Sequence, residues 1–248
     1  MAVGTSHPGV ESFTRQGYAI VDLLDTAQHA RVEELIRHRL KEIANEVMPG
    51  RDFDLGALAT YHRLGVPDDA HKRMMAPTYR YLKLSAQDQR MLLNDAVAPI
   101  FESFWGHRNA AMHYWFEGHQ KIDGACVFRV VRPGAGDVSG IHSESSYGIF
   151  PLTVWVPIVG FDERYTLKLS PGSHAVTHPP EAIQRNERFL ARCYSDDYVR
   201  GFQFIRPNMR KGQAIVFHPN LLHGGSDNQA DETRVSIEIR VFEANGGN

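Results

Sequence analysis

The chain has 248 residues, a formal net charge of -2 and a charged fraction of 23%. Numbers like these give no large field of one sign, which argues against nucleic acid as the main partner, because phosphate binding needs a clustered basic face. Two cysteines, Cys126 and Cys193, exclude a disulfide framework. No apolar run approaches the roughly 18–20 residues of a membrane helix and Met1–Arg15 lacks the charged-then-apolar order of a signal peptide, so no membrane partner and a cytoplasmic location are expected.

In chain order, Glu11–Asp25 opens with Phe13, then Tyr18, Ile20 and Val21 after Gly17, and reads as a short strand. Thr26 is placed to cap a helix over about Ala27–Val47. The apolar positions Val32, Leu35, Ile36, Leu40, Ile43 and Val47 recur there at helical spacing, and Pro49 and Gly50 end it. Gly65, Pro67 and Pro77 break residues 51–86 repeatedly, leaving room for a short helix between Asp54 and Leu64. A second long helix is predicted from Ser85, as N-cap, to Trp105.

From residue 110 the pattern changes. The segments 125–132, 150–158, 164–169, 202–206, 213–218 and 233–242 are short and rich in β-branched or aromatic residues, with Gly, Pro, Asn and Asp between them. That density of short strands predicts a sandwich or barrel, interrupted by a helical patch over Pro180–Cys193. One domain spanning 1–248 is expected, with 1–115 as largely helical support and 116–248 as the β core: a mainly β, α+β chain.

Thirteen histidines make accidental patterns common, so each is weighed separately. His142 and Glu144 form His-x-Glu, and in a strand residues two apart face the same way. His223 sits far downstream in LLHGGSDN, where Gly224 and Gly225 permit tight turns beside it. Arg234 and Ser236 then share one face of TRVSIEIR. An inward arginine in an apolar strand is costly unless a carboxylate meets it. An internal acid is one such partner, with Glu238 on the same face as the obvious competitor and Arg240 continuing the row. A bound ligand is the other. Two histidines and one carboxylate on one face of Fe(II) leave three coordination positions. A 2-oxo acid can fill two and O₂ the third, and the far carboxylate of 2-oxoglutarate would meet Arg234 and Ser236.

The run from about 117 to 243 resembles the phytanoyl-CoA dioxygenase-like branch of the Fe(II)/2-oxoglutarate oxygenases. The matching pieces are FRVVRPG (128–134), IHSESSYG (141–148), VWVPI (154–158), LKLSPGSH (167–174), VFHPNLLHGGSDN (216–228) and TRVSIEIR (233–240). The first 115 residues match only through GYAIVDLL (17–24). The resemblance implies a double-stranded β-helix of the jelly-roll, cupin-like type. It places the metal and catalytic positions on His142, Glu144 and His223, and the 2-oxoglutarate clamp on Arg234 with Ser236. Glu144 departs from the aspartate of most of the family, and the ligand set survives because glutamate is one methylene longer and still ionised.

Further residues carry two readings each. Arg129 and Arg132 lie on opposite faces of one strand, so at most one points inward; Arg129 is expected to contact co-substrate or to make an ion pair. Thr153 and Trp155 share a face, as co-substrate pocket or core. Tyr147 is expected to line the substrate mouth or pack in the core. Lys168 meets an anionic group or is solvated. His174, His218, Asn220 and Asn228 are read as structural, Asn228 bracing the loop that carries His223. The implied reaction oxidises a C–H bond of a small polar metabolite, sugar-, cyclitol- or amino-acid-like, as in specialised or antibiotic biosynthesis, with release of succinate and CO₂. A small-molecule substrate is the expected partner, with a homodimer left open. The rivals are a cupin-type metal-binding isomerase or sensor without 2-oxoglutarate, which has no reason to keep Arg234 with Ser236, and a non-catalytic carbohydrate-binding sandwich.

Overall fold

The structure is a computed structural model that describes residues 7–114, 121–137, 139–186 and 191–244. The strands are β1 (Tyr18–Asp22), β2 (Tyr81–Lys83), β3 (Ala110–Tyr114), β4 (Ile122–Asp123), β5 (Ala125–Val131), β6 (Leu152–Val159), β7 (Lys168–Leu169), β8 (Ile183–Asn186), β9 (Ala191–Tyr194), β10 (Gln213–Phe217), β11 (His223–Gly224) and β12 (Arg234–Glu243). The α-helices are α1 (Pro8–Gln16), α2 (Thr26–Val47), α3 (Asp68–Met74), α4 (Ala86–Leu92), α5 (Ala98–Trp105) and α6 (Asp196–Val199).

Strand β12 organises the large sheet. It pairs antiparallel with β6 along one side and with β5 and β3 along the other. Outward from β6 come β10 and then β1; β2 joins β5 and β4 joins β3. Strands β1, β2 and β3 come from the first 115 residues, so that part supplies sheet as well as helices.

The period-two alternation of β12 separates two cores. Val235, Ile237, Ile239 and Val241 point to a layer shared with Val32, Ile36, Leu40 and Ile43 of α2. Arg234, Ser236, Glu238 and Arg240 point the other way, into the jelly-roll interior. There a smaller apolar cluster of Trp155, Leu167, Leu169, Ile215, Phe217 and Leu221 fills the space below the second, short sheet of β7 and β11.

Several local expectations are corrected. Phe13 belongs to α1, not to an extended lead-in to β1. Asp25, not Thr26, caps α2: its carboxylate accepts from Gln28 N while the Gln28 amide oxygen accepts from Asp25 N, a reciprocal capping box. The helix expected over 85–105 is two helices. Pro99 has no N–H to continue the ladder, and Asn94 stabilises the break, accepting from Ala96 N and donating to Leu23 O at 2.8 Å each. Segment 164–169 yields only Lys168–Leu169, and 202–206 only a bridge from Ile205 to Leu169. The patch at 180–193 is one 3₁₀ turn, Pro180–Ala182, followed by the β8–β9 hairpin; 187–190 lie outside the described residues. Ile183 paired with Tyr194 sets that hairpin's register, and cross-strand pairing overrides the helical pattern.

Two half-buried histidines outside the charged interior tie stability to pH. Burial, with Arg132 beside it, lowers His71 from the ordinary 6.5 to about 4, and burial together with His174 lowers His218 to about 4. Between 6.5 and 4 the unfolded chain therefore binds more protons, so stability is full above 6.5 and is lost as pH falls toward 4. His71 alone contributes at most about 1.4 kcal/mol per pH unit. Denaturant midpoints recorded across this window should fall steadily, and His71→Gln should flatten the slope; an unchanged slope would remove His71 from the account.

Candidate metal centre

His142 and His223 are brought together by the backbone. The N–H of each donates to the carbonyl of the other, at 2.8 and 2.9 Å, as an antiparallel bridge that extends the β7–β11 sheet. Directly paired residues face the same way, and the two imidazoles stand 4.3 Å apart, centre to centre. Each ring is oriented alike. His142 Nδ1 lies 2.8 Å from Gly140 O and His223 Nδ1 lies 2.9 Å from Leu221 O. A carbonyl can only accept, so both Nδ1 atoms carry the proton and both Nε2 lone pairs point to the same space, the tautomer a metal requires.

Glu144 does not continue a strand, as the His-x-Glu spacing led one to expect. Ser143 is extended and Glu144 opens a 3₁₀ turn, Glu144–Tyr147. That turn is held by Ser145, whose N–H donates to Pro219 O at 3.0 Å and whose hydroxyl donates to Asn220 Oδ1 at 2.7 Å. Glu144 Oε1 stands 3.9 Å from His142 Nε2 and 3.7 Å from His223 Nε2. One ligand atom from each of the three residues lies within 4.8 Å of the other two, and all three residues are buried. Two imidazole nitrogens and one carboxylate on one side of a shared space are the donor set for an Fe(II) site with open positions. Burial alone would raise the Glu144 carboxyl, but Arg240 and the two histidines hold it below the usual range. Burial lowers His142 to about 4, keeping the imidazole neutral.

The interior beyond Glu144 is a chain of alternating charges. Arg240 Nη2 is 3.1 Å from Glu144 Oε2 and 3.5 Å from Glu238 Oε1. Arg129 Nη2 is 3.2 Å from Glu238 and its Nη1 is 3.3 Å from Asp137 Oδ1. Asp137 also pairs with Arg234, which is 1% exposed. Thus Arg129 is the inward arginine of its strand, while Arg132 reaches out to Asp68. Glu238, the expected competitor for Arg234, pairs with Arg129 and Arg240 instead. Asp137 was not singled out by the sequence.

Among the described residues, the buried Ser236 Oγ, Thr153 Oγ1 and Arg234 Nε of this interior have no hydrogen-bond partner. Leaving such groups unmade costs about 1–3 kcal/mol each, so they fit an oxygen-rich ligand between them. The set of Arg234 with Ser236 suits the far carboxylate of 2-oxoglutarate. The remaining expectations divide. Trp155 is 3% exposed and packs in the interior apolar cluster. Tyr147 sets its ring edge-on to His142 at 5.7 Å and donates to Arg192 O. Lys168 is exposed, because its neighbour Leu169, paired with His223, takes the inward face. Asn228 braces the turn before β12, donating to Val131 O and Glu232 O.

Gly224 and Gly225 serve close approach, not turning. A Cβ on Gly225 would stand 2.2 Å from Asp137 Cβ, and one on Gly224 2.8 Å from Gly140 O. Gly225→Ala is therefore expected to push the 137–140 segment away and destabilise the fold by about 1–3 kcal/mol, as overpacking does. Iron affinity should fall with it, since His142 lies two residues beyond Gly140. Denaturant melts and iron titrations of the variant read both effects, and wild-type values in each would refute the close-packing reading.

The sequence profile of the phytanoyl-CoA dioxygenase (PhyH) family matches residues 13–236. No curated protein matches the chain. Among solved structures, the chain is similar to the non-heme alpha-ketoglutarate-dependent carbocyclase SnoK from nogalamycin biosynthesis, with 14% identity and a TM-score of 0.57 over 97% of this chain and 85% of that one. It is also similar to EctD from S. alaskensis with 2-oxoglutarate and 5-hydroxyectoine, with 15% identity and a TM-score of 0.57 over 95% and 74%. The non-heme monooxygenase ThoJ follows, at 16% identity and 0.53 over 96% and 80%. At these identities the structural likeness speaks for the fold, a double-stranded β-helix. With the family match across nearly the whole chain and the His142, Glu144 and His223 cluster in place, the chain belongs to the phytanoyl-CoA dioxygenase family and is an Fe(II)/2-oxoglutarate-dependent oxygenase.

Proposed function

We propose that this enzyme oxidises a C–H bond of a small, polar, largely uncharged metabolite of the sugar or cyclitol type, with iron held by His142, Glu144 and His223 and the far carboxylate of 2-oxoglutarate held by Arg234 and Ser236. O₂ is the oxidant: with iron bound, 2-oxoglutarate would give two of the four electrons it takes, leaving as succinate and CO₂, and the C–H bond would give the other two. The chain's own residues bind, orient and exclude water. Arg240 keeps the Glu144 carboxylate ionised and fixed, and the two backbone carbonyls fix the imidazoles.

The observation that carries the substrate reading is the cavity beside the Glu144–Tyr147 turn. A cavity of about 1060 Å³ opens there, large enough for a drug-sized ligand. Its described lining includes Ser145, Tyr147, Thr177, His178, Gln184 and Asn220, and Arg192 is the one Lys, Arg, Asp or Glu among the described lining residues. Hydroxyls, amides and aromatic edges match a polyol better than an acyl chain or a polycation. The alternative of a cupin-type protein without 2-oxoglutarate leaves the buried Ser236 and Thr153 hydroxyls without a purpose.

The test is succinate release. The protein is incubated with Fe(II) and 2-oxoglutarate beside neutral polyhydroxylated compounds, fatty acyl thioesters or polyamines. Stimulation by the first group, with a product one oxygen heavier or two hydrogens lighter, supports the reading. Stimulation by thioesters or polyamines instead would overturn it.

A further inference from the structure

The arginine assigned to 2-oxoglutarate already has a carboxylate. Asp137, on the segment between β5 and His142, pairs with Arg234 Nη2. Arg234 Nη1 is directed at Tyr165 O and Ser226 O, at 3.3 and 3.5 Å, and Nε has no partner. A carboxylate grips a guanidinium with both oxygens either end-on, across the two terminal nitrogens, or side-on, across Nε and the outer terminal nitrogen. Both grips use Nη2. An incoming carboxylate must therefore share that nitrogen with Asp137 or take it. Sharing would press two carboxylates together in a nearly dry cage, which like charges resist.

Asp137 has somewhere to go. Arg129 Nη1 already stands 3.3 Å from its other oxygen, and the buried Arg80 acts on it electrostatically. Arg129 is in turn linked through Glu238 and Arg240 to Glu144. Fe(II) and the 2-oxoglutarate dianion enter as a neutral pair, so the charge balance of the cage requires neither protonation of Asp137 nor its departure. Gly225 lies against the Asp137 side chain and its N–H donates to Ser139 O at 3.2 Å, which ties down the backbone beside Asp137, so the change is one of side-chain partner.

We propose that Asp137 is a positioning residue that holds Arg234 in the absence of co-substrate and yields it to the far carboxylate of 2-oxoglutarate, passing to Arg129, so that co-substrate binding is an exchange of carboxylates. The inference rests on the assignment of Arg234 as the anchor. It carries a consequence for selectivity: a 2-oxo acid that lacks the far carboxylate does not compete with Asp137 and leaves it in place.

The experiment titrates Fe(II)-loaded protein anaerobically with 2-oxoglutarate and, separately, with pyruvate, following the visible absorption of the chelate. In Asp137→Asn, which keeps the shape and removes the competing charge, the Kd for 2-oxoglutarate is expected to fall at least about tenfold, the ratio equivalent to about 1.4 kcal/mol. The Kd for pyruvate should stay within about twofold. An unchanged or weakened 2-oxoglutarate affinity relative to pyruvate overturns the exchange. Arg234→Met in the same titration separates the two ideas. If it weakens 2-oxoglutarate relative to pyruvate, the anchor stands whatever Asp137 does; if it does not, the anchor itself is wrong. Should Asp137→Asn fail to fold, crystal structures of the wild-type protein with and without 2-oxoglutarate decide. Asp137 contacting Arg129 alone in the complex supports the exchange, and Asp137 still on Arg234 refutes it.

Discussion

His223→Ala is expected to abolish iron binding and 2-oxoglutarate turnover while leaving the fold in place. The imidazole donates to Leu221 O and packs on Phe217 at 4.4 Å, so its loss costs the interior a modest cavity. The bridge to His142 is made by main-chain atoms and survives the substitution. What does not survive is the third donor. His142 and Glu144 alone would offer a two-point site, and Glu144 would remain neutralised by Arg240 at 3.1 Å. Residues that merely support a metal ligand typically change affinity by about 10–100-fold; removing a ligand should exceed that range. Equilibrium dialysis against Fe(II), read beside circular dichroism and succinate formation, gives the result. Iron uptake equal to wild type in a folded His223→Ala variant would remove the centre from this position.

The clustering of His142, Glu144 and His223 was expected from the sequence because their chemistry is rare in combination, but the geometry that unites them was not. His142 and Glu144 meet through an extended residue followed by a 3₁₀ turn, a path that the two-residue spacing does not specify, and that turn depends on Pro219 and Asn220, far along the chain. The alternation of β12 was readable, and it assigned Arg234, Ser236, Glu238 and Arg240 to one face, where the structure places them. Asp137 was missed because it stands among glycines in a segment with no periodicity. A signal did exist. Arg129, Arg234 and Arg240 all needed inward partners, and Glu144 and Glu238 supply only two carboxylates, so a third acid was owed to the interior. The hairpin β8–β9 was unreadable for another reason: its strands are four residues each, too short for period-two and helical patterns to differ.

Arg234→Met is expected to collapse 2-oxoglutarate affinity while Fe(II) still binds. A charge-assisted hydrogen bond contributes about 1.5–3 kcal/mol, and a two-pronged grip on a carboxylate makes two of them. Loss of at least 100-fold in affinity follows, even after the exchange with Asp137 returns part of that energy. His142, Glu144 and His223 are separated from Arg234, since Asp137, Arg129, Glu238 and Arg240 intervene between it and Glu144. Stability should fall as well, because breaking a buried pair from one side costs about 3–5 kcal/mol when the remaining charge is stranded. Here Arg129 still reaches Asp137, so the loss should lie at or below the lower end of that range. Anaerobic titration gives the affinity and denaturant unfolding gives the stability. The two readings together separate a failed anchor from a failed fold: a stable, iron-loaded variant that binds 2-oxoglutarate as tightly as the wild type would show that the buried guanidinium serves Asp137 alone.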